Sequence, residues 1–98
     1  MPSVPGRLRA FQSEVLEFVF QGFSPLIVKL EEPLFGVEEA SVTLEFEDPD
    51  LLQSGHPVHG KVEGTALTLE VGNGVKIVGN LDIPQGDRPL TGFGDWMG

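Results

Sequence analysis

The chain has no cysteine. Disulfide scaffolds, thiolate metal sites and cysteine nucleophiles are thereby excluded, while the redox compartment is left open. Bases are scarce: six Lys and Arg stand against fifteen Asp and Glu, a formal net charge of −9 over 98 residues. A chain so charged is repelled by phosphate backbones and anionic lipid, so neither direct nucleic-acid binding nor membrane binding is expected. Long apolar runs are missing as well. After Arg7 and Arg9 the sequence is broken by Gln12, Ser13, Glu14 and Glu17, short of the ~7–15 apolar residues of a secretory signal. No stretch approaches the ~18 residues of a membrane span. Asn73 and Asn80 have no Ser or Thr two positions on and are not glycosylation acceptors. A soluble protein, cytoplasmic or virion-associated, is expected. No internal repeat of useful length and no low-complexity tract stands out.

What is present suits one small domain. The 40% apolar fraction lies above the disordered range, and seven Phe with one Trp supply bulky core candidates. Val42, Leu44 and Phe46 alternate with Thr43, Glu45 and Glu47, and Leu67, Leu69 and Val71 with Thr68 and Glu70. That period of two marks half-buried strands. Gly72-Asn73-Gly74 tolerates positive φ, so 66–71 and 75–83 read as a hairpin, with 58–63 as a partner strand joined through Gly64 and Thr65. Gly79, inside the returning strand, predicts a bulge or a close backbone approach.

Residues 14–21 support two readings. Glu14, Glu17 and Gln21 share one helical face opposite Leu8, Phe11, Val15, Phe18 and Val19, with Gly22 and Pro25 as stops. The same segment is rich in β-formers, and a hairpin 15–20/26–31 competes with the helix. The fold expected is therefore mainly β, a single antiparallel sandwich or partly closed barrel, with an N-terminal helix as one of the two variants and with extended termini. Its divisions are a basic arm over 1–12, a β-rich domain over 13–83 and a Gly/Pro-rich tail over 84–98.

Catalytic patterns fail on their spacing or context. Gly55 to Lys61 fits the first seven positions of a phosphate-binding loop, but Val62 stands where a magnesium-binding hydroxyl is required and a strand follows instead of a helix. Gly72, Gly74 and Gly79 miss the dinucleotide spacing, since Ile77 holds the third position. No serine lies in a Gly-x-Ser-x-Gly elbow. His56 and His59, with Asp48 and Asp50 upstream, have metal-ligand chemistry, yet Pro57 between them argues against a helix that would align them. No catalytic residue, metal or cofactor is expected.

Docking chemistry is the stronger theme. Residues 31–50 hold eight acids and no base, among them Glu31, Glu32, Glu38, Glu39, Asp48 and Asp50. One-signed patches steer association and set specificity. The tail carries Phe93 and Trp96, residue types that anchor interfaces. These eight residues are the candidate partner-binding set. The function expected is non-enzymatic protein binding or assembly, onto a neighbouring subunit or a larger protein as in virions and other multi-subunit assemblies. An acidic inhibitor of a basic, nucleic-acid-handling protein is the alternative, and a metal-dependent enzyme using His56 and His59 comes third.

Overall fold

The computed structural model describes residues 2–97; Met1 of the expected arm and Gly98 of the expected tail lie outside the described residues. Eight strands are present: β1 (Ser3–Gln12), β2 (Val15–Phe20), β3 (Leu26–Leu30), β4 (Glu39–Phe46), β5 (Gly55–Glu63), β6 (Ala66–Val71), β7 (Val75–Asn80) and β8 (Asp87–Trp96). A single 3₁₀ turn, Pro49–Leu51, interrupts the β4–β5 connection. The strands close into one antiparallel barrel in the order β1-β2-β3-β8-β5-β6-β7-β4. The mainly β expectation holds; the sandwich and the N-terminal helix are corrected.

Strand β2 replaces the helix for a plain reason. Leu16, Phe18 and Phe20 point inward with period two and are buried, whereas Val19, assigned to the helix's apolar face, is exposed on the barrel wall. Phe11 also faces outward, in a bulge between Ala10 and Gln12. The extended termini are corrected too. Residues 3–12 and 87–96 are the two ten-residue strands, and β8 seals the barrel by pairing with both β3 and β5. Among the expected strands, 66–71 coincides with β6, and the hairpin turn at Gly72 and Gly74 has positive φ at both glycines.

The interior is apolar throughout, from Leu8 and Leu16 on one side to Leu69, Ile77 and Leu90 on the other, and no buried polar or charged residue is found among the described residues. Charges lie on the outer face, where Glu45, Lys76, Glu70 and His59 form one cross-strand row. This polarity is the reverse of that in barrels that cross membranes.

Two features explain how so few residues close a barrel. Inward-facing glycines let neighbouring strands approach: a Cβ at Gly60 would lie 2.0 Å from the Thr68 carbonyl oxygen, and one at Gly92 would lie 2.2 Å from that of Lys29. Gly79 is likewise a close approach, against Val42 and the Ser41 carbonyl. Prolines take the opposite role. Pro5, Pro57 and Pro89 each sit where a long strand overruns its shorter neighbour: the ladders to that neighbour start at Gly6, Val58 and Gly92, and beyond β6 the Pro57 carbonyl accepts from the Gly72 N–H (2.9 Å). A missing N–H costs nothing there and discourages pairing with another chain.

The barrel is also duplicated, a relation the sequence did not reveal. Strands β4-β1-β2-β3 and β8-β5-β6-β7 are two Greek keys in the same spatial order. Gly6↔Phe20 and Ala10↔Leu16 in the first correspond to Val58↔Val71 and Val62↔Leu67 in the second. The loop hydrogen bonds also recur: Leu30 N–H to Glu14 O (2.7 Å) matches Leu81 N–H to Thr65 O (2.8 Å), and Leu34 N–H to Ser13 O (2.7 Å) matches Gln85 N–H to Gly64 O (2.9 Å). The sequence trace is faint. Leu30-Glu31-Glu32-Pro33 and Leu81-Asp82-Ile83-Pro84 share a Leu-acid-x-Pro pattern, and Phe46 corresponds to Trp96 at the end of each unit.

Candidate functional site

Because the strands alternate in direction, the loops after β1, β3, β5 and β7 gather at one end of the barrel. The β3–β4 loop (31–38) and the β7–β8 loop (81–86) meet there, and buried Leu34 and Leu81 close the barrel beneath them. Above that plug stands Phe35, 63% exposed, the most exposed large apolar side chain among the described residues. Ile83 lies beside it, close enough that a Cβ on Gly36 would lie 2.7 Å from the Ile83 Cδ1. Phe11 is exposed at the same end, beneath the Arg9 guanidinium.

Phe35 is held firmly despite its exposure. Its N–H donates to Gln85 Oε1 (2.8 Å), and Gln85 Nε2 donates back to the Phe35 carbonyl (2.7 Å) and to that of Ile83 (3.1 Å). One side chain thus pairs with the loop as a neighbouring strand would. Arg88 supports the other side: its guanidinium donates to the Pro33 carbonyl (2.6 Å) and lies 5.6 Å from the Phe35 ring centroid. Glu32 pairs with the same guanidinium at 3.5 Å.

The structure divides the sequence candidates. Glu31, Glu32, Glu38 and Glu39 lie at the Phe35 end, where Glu14, Asp82 and Asp87 join them. Glu39 pairs with Arg7 at 3.3 Å and Glu31 accepts from the Thr91 hydroxyl at 2.8 Å. Among the described residues, Glu14, Glu31, Glu38, Asp82 and Asp87 make no ion pair. Asp48 and Asp50 are at the opposite end, where Asp48 Oδ1 accepts from the Asp50 N–H (2.9 Å) and caps the 3₁₀ turn. Phe93 is half exposed on the barrel wall. Trp96 is not an outward anchor: it is 6% exposed, packs 6.3 Å from the Phe20 ring, and leaves its Nε1 donor without a partner.

The histidines do not converge. A spacing of three in a strand places side chains on opposite faces. His56 turns inward and its Nε2 lies 2.8 Å from the Gln53 carbonyl, while His59 faces out to Glu70 at 3.1 Å. The exposed Lys61 has its pKa raised above the ordinary value by its hydrogen bond to Glu63 and then by the charge of that carboxylate. The two side chains form an exposed surface pair.

Sequence reasoning missed Phe35, Ile83, Gln85 and Arg88. A signal existed for the first: Leu34-Phe35 is an apolar pair inside the acidic stretch. Gln85 and Arg88 were hidden, because their roles arise only when two loops about fifty residues apart are brought together. Compared with known protein families, characterised proteins and solved structures, the chain matches none of the three.

Proposed function

We propose that this barrel is a non-enzymatic protein-interaction or assembly module, working in the cytoplasm or in a virion, that docks through the Phe35 end. Phe35 itself carries the reading. The two corresponding loops differ between their shared proline and their shared positive-φ glycine: Pro33 and Gly36 enclose Leu34-Phe35, whereas Pro84 and Gly86 enclose Gln85 alone. The second loop closes its half of the barrel without an exposed aromatic, so the fold does not require one. An exposed aromatic whose backbone is fixed by Gln85 and whose ring lies beside Arg88 suits a preorganised interface anchor.

The test is cross-linking in extracts of the native source with the wild-type chain, Phe35→Ser and Phe93→Ser, each first shown to melt normally. Adducts lost in Phe35→Ser and kept in Phe93→Ser support docking at this end. The opposite pattern would transfer the interface to the barrel wall, and identical adducts from all three would refute both sites. The acidic-inhibitor reading shares this surface, and the gathering of carboxylates at the same end favours it as the second possibility.

A further inference from the structure

We infer that the partner of the Phe35 end is a cationic protein surface that buries Phe35 and Ile83 in an apolar cleft flanked by Lys or Arg. The inference rests on the docking reading above and specifies the chemistry of what docks. Phe35 and Ile83, 63% and 44% exposed, form an apolar tip shared by two loops. Around that tip the end carries eight carboxylates, the seven named above and Glu63, against five bases, Arg7, Arg9, Lys29, Lys61 and Arg88, of which Arg7 and Lys61 are already paired with Glu39 and Glu63. Arg88 is committed within the molecule, to the Pro33 carbonyl and to Glu32. A partner therefore meets an apolar centre with a negative rim, and complementarity requires an apolar centre with a positive one.

The same charges exclude other occupants. A second copy placed end to end would oppose two acidic rims, and like-charge juxtaposition disfavours that complex. Nucleic acid and anionic lipid are repelled for the same reason. The loop also needs little ordering, since the Gln85 bonds at 2.8 and 2.7 Å already fix the Phe35 backbone. A preorganised anchor retains more of its contact energy as affinity.

The test uses the full chain and three fluorescein-labelled peptides, read by anisotropy at moderate salt. One is an amphipathic Lys/Leu helix former, the second replaces its Leu by Ser at equal charge, and the third replaces its Lys by Glu. Binding of the first, with the second weaker by about tenfold and the third silent, is the expected result. Phe35→Ser should weaken the first peptide by about tenfold, and Glu38→Lys with Asp82→Lys should weaken it as well. Reversal at the far end, Glu47→Lys with Asp50→Lys, should change it by less than about twofold, because those charges lie well beyond a Debye length of ~8 Å. Equal binding of the Leu and Ser peptides, or equal effects of the two reversals, overturns the inference in favour of unspecific charge attraction. If no cationic peptide binds while Phe35→Ser still abolishes cross-linking in extracts, the partner class is wrong and docking at Phe35 stands.

Discussion

Gly60→Ala tests the packing logic of the barrel with one methyl group. The added Cβ would sit 2.0 Å from the Thr68 carbonyl oxygen and 2.8 Å from the Leu69 Cα. Carbon and oxygen need roughly 3.3 Å, so β5 and β6 must separate by about 1 Å or the site must distort. The obstruction is backbone and cannot rotate away. Leu69 and Leu90, the residues paired with Gly60 on either side, are both buried, so any shift spreads into the core. Overpacking of this kind costs about 1–3 kcal/mol, and more when backbone blocks it. Reduced freedom of the unfolded chain returns only about 0.4–1 kcal/mol. We expect a net loss of about 2 kcal/mol, which lowers Tm by about 8–16 °C in a domain of this size. Gly64→Ala is the control: its φ is +61° with nothing within 4 Å of the new Cβ, so only the left-handed conformation is penalised, at about 1 kcal/mol. Circular-dichroism melts and urea titrations of both variants decide the matter. A Gly60→Ala loss below about 0.5 kcal/mol, the scale of a neutral surface change, would refute close strand approach as the reason for this glycine.

Four further outcomes are expected. Deleting residues 84–98 removes β8 together with buried Leu90 and Trp96; because that forfeits about 5–10 kcal/mol, comparable with the whole stability of a small domain, the melt should lose its cooperative transition. Leu69→Ala, at a fully buried position, should cost about 2–5 kcal/mol by urea unfolding. Trp96→Phe removes the unpaired Nε1 donor while keeping an aromatic, so it should change stability by less than about 1.5 kcal/mol, whereas Trp96→Ala should cost about 3–5 kcal/mol. The duplicated topology predicts that fragments 1–50 and 51–98, each a four-strand Greek key, reassociate when co-expressed; recovery of the native spectrum from mixed fragments but from neither alone is the measurement.

Much of the second half was legible because its strands are half buried and alternate cleanly. Leu67, Leu69 and Val71 face the core while Thr68 and Glu70 face out, and that periodicity is written locally. Residues 15–20 were ambiguous because a short run of Val, Leu and Phe satisfies both a helical stripe and a strand. Pairing with both β1 and β3 resolved it. The glycines of β8 misled for a related reason. Gly92 and Gly94 look like breakers in isolation, yet at inward positions of a tight barrel they are what lets β3 and β5 come close.

Composition and pattern alone determined that the chain is acidic, free of cysteine, built as one mainly β domain, and without a catalytic motif of proper spacing. Those are properties of single segments and of sums over the chain. Closure, duplication and the meeting of Phe35, Gln85 and Arg88 at one end were decided by tertiary structure. Whether a strand of glycines is a loose tail or the seal of a barrel depends on partners 24 to 70 residues away, from Glu63 with Asp87 to Leu26 with Trp96. The acidic run reads as one patch along the chain, yet alternating strand direction sends Glu31 and Glu38 to one end and Asp48 and Asp50 to the other. Phe35 gains its meaning only there, where Gln85 and Arg88 arrive from the other half of the molecule to hold an apolar ring in water.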